Sequence, residues 1–212
     1  MILFLDTVSP LPTFTVIKDN KIIHSIHILD GNSNKISDRI IPAFLELQKK
    51  SCLDEKIKKL VVCTGPGSYT SLRVGIAFMY GISYSRKIPL IGITCFDLFR
   101  YAMPKSNVKN TLMFICSSND QNFISLYSNQ DNKYLIKKLD YRLQSTSIDY
   151  NMYNYSISNQ KLPLNIIKTF NLNNHREINL AEVVKINLKN ITSLSTNNII
   201  KPIYISDNKI LN

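Results

Sequence analysis

The chain has 212 residues, a mass of 24.3 kDa and a formal net charge of +11. With 44% hydrophobic and 19% charged residues and a mean hydropathy near zero, its composition excludes a disordered tail and a membrane protein. Its longest apolar runs fall well short of the roughly 18 residues that a membrane span needs, and no basic segment precedes the first apolar residues. We therefore expect a soluble protein of the cytoplasm with no membrane partner.

The elements of the N-terminal half are predicted from hydrophobic periodicity and from turn and cap residues. Strands are predicted at 2–5, 13–18 and 22–28, and a helix follows from the cap residues Ser37 and Asp38 to about Lys50, with Pro42 in its first turn. A strand at 60–63, a helix at 70–85, a strand at 90–93 and a helix at 96–101 complete this half. This order is typical of an α/β architecture in which helices pack on a mixed sheet.

The composition of the sequence changes at Pro104, after which a polar stretch, 105–110, begins. We therefore predict two domains, 1–103 and 104–212. In the second, strands are predicted at 112–116, 123–127 and 134–139, one helix around Leu180 to Leu188, and an edge strand at 199–205 that carries Pro202. Residues 140–178 are rich in Asn, Ser and Tyr and receive no assignment.

The basic charge and a pI near 9.5 favour a polyanion partner such as RNA. A Lys- and Asn-rich composition can also arise from nucleotide bias in a genome. The basic residues form only short groups, such as Lys137-Lys138, with no stripe interleaved with aromatic residues. Whether the chain contacts RNA directly therefore stays open.

The cysteines and histidines predict no metal site. No Cys-x-x-Cys pair occurs, and His24 and His27, three apart on a predicted strand, point to opposite faces of it. The wide spacing of the cysteines also argues against a secreted disulfide framework. The four cysteines and the remaining histidine are Cys52, Cys63, Cys95, Cys116 and His175.

The run from Cys63 to Gly75 joins a buried strand to a helix through two glycines. Gly65 and Gly67 allow a sharp turn, and the N–H groups at the helix start could hold an anion. This is not a Walker A loop, because no Gly-Lys-Ser/Thr follows and the first lysine after the loop is Lys87. Two interpretations stay open: a weak phosphate site, or a tight connection with Ser68 or Thr70 as helix cap. The candidate anion-binding residues are Asp6, Thr7, Gly65, Gly67 and Ser68.

The helix at 70–85 is apolar on nearly every side, and Arg73 is its single charged residue. One face packs on the sheet, so the opposite face needs a second cover. That cover is either the 39–50 helix or another subunit, and Gly75 and Gly81 would allow close helix approach. Val74→Glu or Phe78→Glu is therefore predicted to abolish association with a partner and leave the isolated chain folded.

Several of these motifs together resemble the TsaB (YeaZ) family. They are Ile2 to Thr7, Arg39 to Pro42, Gly65 to Gly75, Pro89 to Ile93 and Pro202 to Ile205. The match covers residues 1–103 and, beyond them, only the final helix and strand. The string Gly-Pro-Gly-Ser-aromatic-Thr-x-Leu-Arg-x-Gly is specific to this family and its relative TsaD. The resemblance implies an actin-like ATPase (ASKHA, ribonuclease H-like) fold of two related subdomains with mixed sheets.

The resemblance also implies a function and a set of partners. TsaB-like proteins help to make threonylcarbamoyladenosine in tRNA: they pair with the TsaD transferase and recruit the TsaE ATPase without performing the chemistry. It implies no intrinsic cofactor, ATP and metal on the partner subunits, and tRNA contact through the complex. Whether the chain also forms a homodimer stays open. The partner interface is predicted on the two helices, at Ile40, Phe44, Ser71, Val74, Gly75, Phe78 and Gly81.

The sequence departs from actin-like enzymes at the positions that carry chemistry. The segment Leu5 to Pro10 keeps Asp6 and Thr7 but lacks the glycine of the usual phosphate loop, and the β-branched Val8 stiffens it. The metal-binding His-x-x-x-His pair of TsaD is also missing. We therefore predict no catalytic residue, with an actin-like ATPase or phosphotransferase acting through Asp6 as the alternative. Two further departures from TsaB are Ile36 in place of a histidine and Ser71 in place of a glycine.

Overall fold

The protein was analysed as a computed structural model. It describes residues 1–29, 35–51, 57–104, 110–117, 122–128, 133–139, 153–194, 199–205 and 209–211. Cys52, the polar stretch at 105–109 and residues 140–152 of the unassigned region therefore lie outside the described residues. Among the described helices, none is long and apolar enough to cross a membrane.

The first sheet has five strands in the order β3-β2-β1-β4-β5. β1 runs antiparallel to β2 and parallel to β4, so the sheet is mixed. The predicted strands and helices of this half are all present. They are β1 (Ile2–Asp6), β2 (Thr13–Lys18), β3 (Lys21–His27), α1 (Ile36–Ser51), β4 (Lys59–Cys63), α2 (Tyr69–Arg86), β5 (Leu90–Ile93) and α3 (Cys95–Ala102).

The second sheet has six strands in the order β10-β9-β6-β7-β8-β11. β6 runs antiparallel to β7 and parallel to β9, so this sheet is mixed as well. Its strands all follow residue 104, whereas the domain boundary itself stays a prediction. The elements are β6 (Asn110–Cys116), β7 (Asn122–Ser128), β8 (Lys133–Leu139), β9 (Tyr155–Ser158), α4 (Leu164–Thr169), β10 (His175–Glu177), α5 (Leu180–Ile186), α6 (Leu188–Thr192) and β11 (Lys209–Leu211).

The two sheets share one hydrophobic core between them. Alternate residues of β1, such as Ile2 and Phe4, contact this core together with α3, α5 and the inner face of the second sheet. The other face of the first sheet, with Leu3 and Leu5, packs against α1 and α2. α4 covers the outer face of the second sheet. The layers therefore alternate helix, sheet, helix, sheet, helix, and α1 and α2 form one outer surface of the molecule.

Three sequence predictions about these elements are wrong. Residues 199–205 form no strand: Pro202 has no N–H, and Ile203 N–H donates to the Thr64 carbonyl (2.8 Å) as a single bond rather than within a ladder. The helix around Leu180 is broken at Asn187 into α5 and α6. α1 begins at Ile36, so Pro42 lies inside the helix and not in its first turn.

The described part of the unassigned region, residues 153–178, contains β9, α4 and β10. These elements are short, and β9 is a central strand whose side chains are all buried. His175 of β10 lies opposite Ser156, and its ring nitrogens hydrogen-bond the hydroxyls of Ser156 (2.9 Å) and Ser158 (3.0 Å). This histidine therefore joins two strands of the sheet.

Candidate functional site

The loop after β1 is organised by the carboxylate of Asp6. Its Oδ1 accepts hydrogen bonds from the backbone N–H groups of Val8 (2.8 Å) and Ser9 (3.0 Å). Burial raises the pKa of Asp6, and the hydrogen bonds from Ser9 and Val8 oppose that rise. The carboxylate that an actin-like enzyme would direct at its substrate is therefore bonded to its own loop.

Thr7 places the end of β1 directly against α2. Its side chain is fully buried, and its Oγ1 has no hydrogen-bond partner among the described residues. A Cβ atom at Gly75 of α2 would lie 2.6 Å from Thr7 Cγ2. Gly75 is therefore required for this internal contact between strand and helix.

The Gly65–Ser68 loop is buried and engaged within the chain. Gly65 has φ +107, which suits glycine, and its carbonyl accepts a hydrogen bond from Cys95 N–H (2.9 Å). The N–H of Ser68 donates to Ser117 Oγ (3.0 Å), and a Cβ at Gly67 would lie 3.3 Å from Val8 Cγ2. The Ser68 side chain makes no capping hydrogen bond to α2. The N–H that an anion would need at Ser68 is already bonded, so the loop acts as a strand-to-helix connection.

A cleft of about 450 Å³ lies beside Asp6, between the β1–β3 end of the first sheet and the start of α5. Asn159 spans the two halves at this point: its Nδ2 donates to Ser9 Oγ (3.1 Å), and its Oδ1 accepts from Cys116 N–H (2.7 Å). The lining includes the carboxylates of Asp6 and Glu182, and no Lys or Arg of the described chain lines it. This composition does not fit a nucleotide phosphate.

No group of three or more His, Cys, Asp or Glu that could hold a metal occurs among the described residues. Cys63 and Cys95 bring their buried sulfur atoms to 3.4 Å, and both are free thiols. Burial raises the pKa of Cys95 well above its ordinary value. Both thiols are packed in the core.

The structure separates the predicted interface residues into two groups. Ile40, Phe44, Ser71 and Gly75 are buried within the chain, in contact with its own sheet and helices. Their side chains are therefore not accessible to a partner. The other three residues remain at the surface: Val74 and Phe78 are half-buried and Gly81 is exposed.

Phe78 packs against Phe14 and Phe44, with ring centroids at 5.6 and 5.3 Å. Phe78→Glu would bring a carboxylate into this aromatic cluster, so it would disturb the isolated chain as well as any interface. The expectation that this variant leaves the chain folded is therefore corrected.

An apolar surface remains exposed where α1 and α2 lie side by side. On α1, Ile41 is 55% and Leu45 is 51% exposed. On α2, Ala77 and Gly81 are exposed next to the half-buried Val74 and Phe78, and a Cβ at Gly81 would meet nothing within 4 Å. We call these six residues the α1–α2 surface: Ile41, Leu45, Val74, Ala77, Phe78 and Gly81.

A second exposed strip on α2 was not predicted. Tyr69, Arg73, Tyr80 and Tyr84 lie on one side of the helix, and the Tyr69 ring packs against the Tyr204 ring at a tilt of 38°, with ring centroids 4.5 Å apart. The spacing of four between Tyr69 and Arg73, and again between Tyr80 and Tyr84, is a signal of a shared helix face that the sequence contains. The position of Tyr204, more than a hundred residues away, has no such signal. We call these five residues the aromatic ridge.

The family of the chain is decided by a match that covers more than half of its length. The model of the family described as "TsaD: tRNA N6-adenosine threonylcarbamoyltransferase" matches residues 32–145. The chain belongs to the TsaD family. The match includes the Gly65 loop, α2 and the α1–α2 surface, whereas β1 with Asp6 lies before it.

Two solved structures match this TsaD-family chain over nearly its whole length. One is an uncharacterized protein with similarity to peptidase YEAZ from Pseudomonas aeruginosa, with 12% identity, a TM-score of 0.61 and coverage of 96% of this chain and 98% of that one. The other is YeaZ from Pseudomonas aeruginosa, with 13% identity, a TM-score of 0.59 and coverage of 96% and 99%. No curated protein matches the sequence.

These matches confirm the predicted resemblance to the TsaB (YeaZ) family and the predicted α/β, actin-like fold with two mixed sheets. At identities this low, the two structures show the fold and the family model shows the membership. Together they support a role in tRNA modification.

Two substitutions of Asp6 distinguish the effect of its hydrogen bonds to the loop from the effect of its charge. We expect Asp6→Ala to lower the free energy of unfolding by about 2 kcal/mol, because it leaves the N–H groups of Val8 and Ser9 without their acceptor. Asp6→Asn keeps an oxygen acceptor and is expected to be at least as stable as the wild type at neutral pH. Urea unfolding followed by circular dichroism measures both. Equal destabilisation by the two variants would contradict this account of the loop.

The raised pKa of Asp6 also predicts the sign of a pH effect. Because the folded-state pKa lies above the unfolded one, the protonated carboxyl favours folding. This contribution is fully present below the unfolded pKa of about 3.9 and is lost as pH rises through the folded-state pKa. Asp6→Asn should therefore flatten the dependence of stability on pH over this interval, relative to the wild type measured in the same buffers.

Proposed function

We propose that this chain is a non-catalytic accessory subunit in the formation of threonylcarbamoyladenosine in tRNA. In this role it binds a TsaD-like transferase through α1 and α2 as a heterodimer and helps to recruit a TsaE-like ATPase, in the cytoplasm. ATP and metal belong to those partner subunits, and tRNA is modified by the complex.

The observation that carries the proposal is the α1–α2 surface. Ile41 and Leu45 of α1 expose about half of their side chains, and on the adjoining helix α2 Gly81 leaves space for the backbone of another helix to approach closely. Exposed apolar patches of this kind are typical of protein interfaces. Among the described residues, α1 packs against α2 at Phe78 and leaves Ala77 and Gly81 exposed.

The geometry around Asp6 favours an accessory role over phosphate chemistry. Asp6 Oδ1 is bonded to two backbone N–H groups, and the Ser68 N–H is bonded to Ser117. The lining of the neighbouring cleft includes two carboxylates and no Lys or Arg of the described chain. The two sets of hydrogen bonds occupy groups, the Asp6 carboxylate and the Ser68 N–H, that a phosphotransferase would direct at its nucleotide.

Co-expression with a TsaD-like transferase, followed by size-exclusion chromatography, tests the proposal. We expect one peak that contains both chains in equal amounts. Elution of the two proteins apart, with this chain alone or only as a homodimer, would contradict the scaffold role. ATP turnover by the isolated chain that is lost in Asp6→Asn would instead favour an actin-like phosphotransferase.

A further inference from the structure

The aromatic ridge combines two segments that are far apart in the sequence. On α2, Tyr69, Arg73, Tyr80 and Tyr84 follow one side of the helix over about 22 Å. Residues 199–205 run alongside: the Ile200 N–H donates to the Tyr80 hydroxyl (2.6 Å), and the Tyr204 ring packs against the Tyr69 ring. The ridge is thus a composite of helix and C-terminal segment.

The aromatic rings of the ridge are open to solvent. Tyr84 is 90%, Tyr69 is 52% and Tyr204 is 37% exposed. The guanidinium of Arg73 lies 5.0 Å from the Tyr69 ring centre and donates to the Tyr69 hydroxyl (2.7 Å). Arg73 is therefore held in place as a fixed positive charge between exposed rings.

The two segments that form the ridge carry charge of one sign. Residues 69–87 and 199–205 contain no Asp or Glu, whereas Arg73, Lys87 and Lys201 are exposed cations. Exposed aromatic rings interspersed with cations, on segments that contain no Asp or Glu, are a combination with which proteins bind unpaired bases and their phosphates. The apolar α1–α2 surface, on another side of α2, is available to a protein partner separately.

We propose that the aromatic ridge is a contact surface for single-stranded RNA. The choice of RNA over another polyanion rests on the tRNA-modification role, while the contact itself does not require the transferase partner. The ridge lies on the side of α2 next to residues 199–205, whereas the α1–α2 surface lies on the side next to α1. One helix thereby presents two surfaces to two different partners.

Binding of a labelled oligoadenylate of about 12 nucleotides to the isolated full-length chain, measured by fluorescence anisotropy, tests this inference. We expect Tyr84→Ala and Tyr204→Ala each to weaken binding about fivefold or more, and Tyr204→Phe, which keeps the ring, to bind like the wild type. Tyr84 is nearly fully exposed, so its removal leaves folding intact. Arg73→Ala should reduce the slope of log affinity against log salt by about 0.7.

Two controls make the result specific to the ridge. Lys168→Ala removes one exposed charge from α4, on the far layer of the molecule, and should weaken RNA binding less than Arg73→Ala. A double-stranded RNA of the same length should bind more weakly than the single strand, because its bases are not free to stack. Wild-type affinity in both tyrosine-to-alanine variants, or no RNA binding by the chain, would overturn the inference.

Co-elution with the TsaD-like partner is measured on the same variants. If the tyrosine variants lose the partner and retain RNA affinity, the ridge belongs to the protein interface and the RNA inference fails. If the chain binds RNA through the ridge and never co-elutes with a transferase, the inference stands and the proposed scaffold role fails.

Discussion

Gly75→Ala is expected to lower the free energy of unfolding by about 2–3 kcal/mol, because the added methyl group would enter a site already filled by Thr7. The new Cβ would lie 2.6 Å from Thr7 Cγ2, 3.0 Å from Oγ1 and 3.3 Å from Cβ. Each staggered rotamer of Thr7 keeps at least one of its two γ atoms in one of these near positions, and its Cβ does not move, so rotation about χ1 does not remove the close contact. In a chain of this size the loss corresponds to a decrease in Tm of about 4–12 °C.

The same helix offers a matched control in Gly81. A Cβ there meets nothing within 4 Å, so Gly81→Ala should stabilise the chain by up to about 1 kcal/mol through helix propensity alone. Thr7→Ala in the Gly75→Ala background removes the two closest atoms and should restore most of the lost stability. Thermal unfolding of these three variants and the wild type measures the effect: a Gly75→Ala protein as stable as the wild type would contradict the close packing of β1 against α2.

Gly81→Arg is expected to weaken association with the TsaD-like partner by about 30-fold or more, which corresponds to about 2 kcal/mol or more. The long, charged side chain would occupy the space through which another helix approaches the α1–α2 surface. Folding should be unaffected, because position 81 is exposed and arginine has a higher helix propensity than glycine. Titration calorimetry of the purified chains gives the affinity directly.

Three further variants test whether the loss of affinity in Gly81→Arg is a direct effect at the α1–α2 surface. Gly81→Ala adds only a methyl group and should retain most of the affinity. Ile41→Glu and Leu45→Glu, on the α1 side of the same surface, should weaken association without a loss of stability, because both side chains are exposed in the isolated chain. Wild-type affinity in Gly81→Arg would place the interface on another face of the molecule.

The N-terminal half was predictable because its signals are local. β1, β2 and β3 alternate or run apolar over five to seven residues, and the Gly65 loop marks the start of α2. Between residues 153 and 178, by contrast, β9 has only four residues and β10 only three. These strands are stabilised by pairing with β6 and with each other, and pairing between distant strands leaves no pattern within either one.

The residues of the candidate site were predictable as a set, whereas their roles were not. The composition of the loop after β1, with Asp6 but without glycine, already indicated poor access for a phosphate. That Asp6 holds Val8 and Ser9, and that Ser117 bonds the N–H of Ser68, depend on contacts across the chain. Ile40 and Phe44 belong to an apolar stripe in the sequence, and the stripe does not distinguish a core from an interface.

The sequence by itself determined the family motif and a helix with more apolar sides than one sheet can cover. Only the tertiary structure decided which side of α2 stays exposed. α1 packs beside Phe78, and residues 199–205 reach Tyr69 and Tyr80 from the other end of the chain. The exposure of a side chain depends on its neighbours in space, and the sequence of one helix does not specify those neighbours.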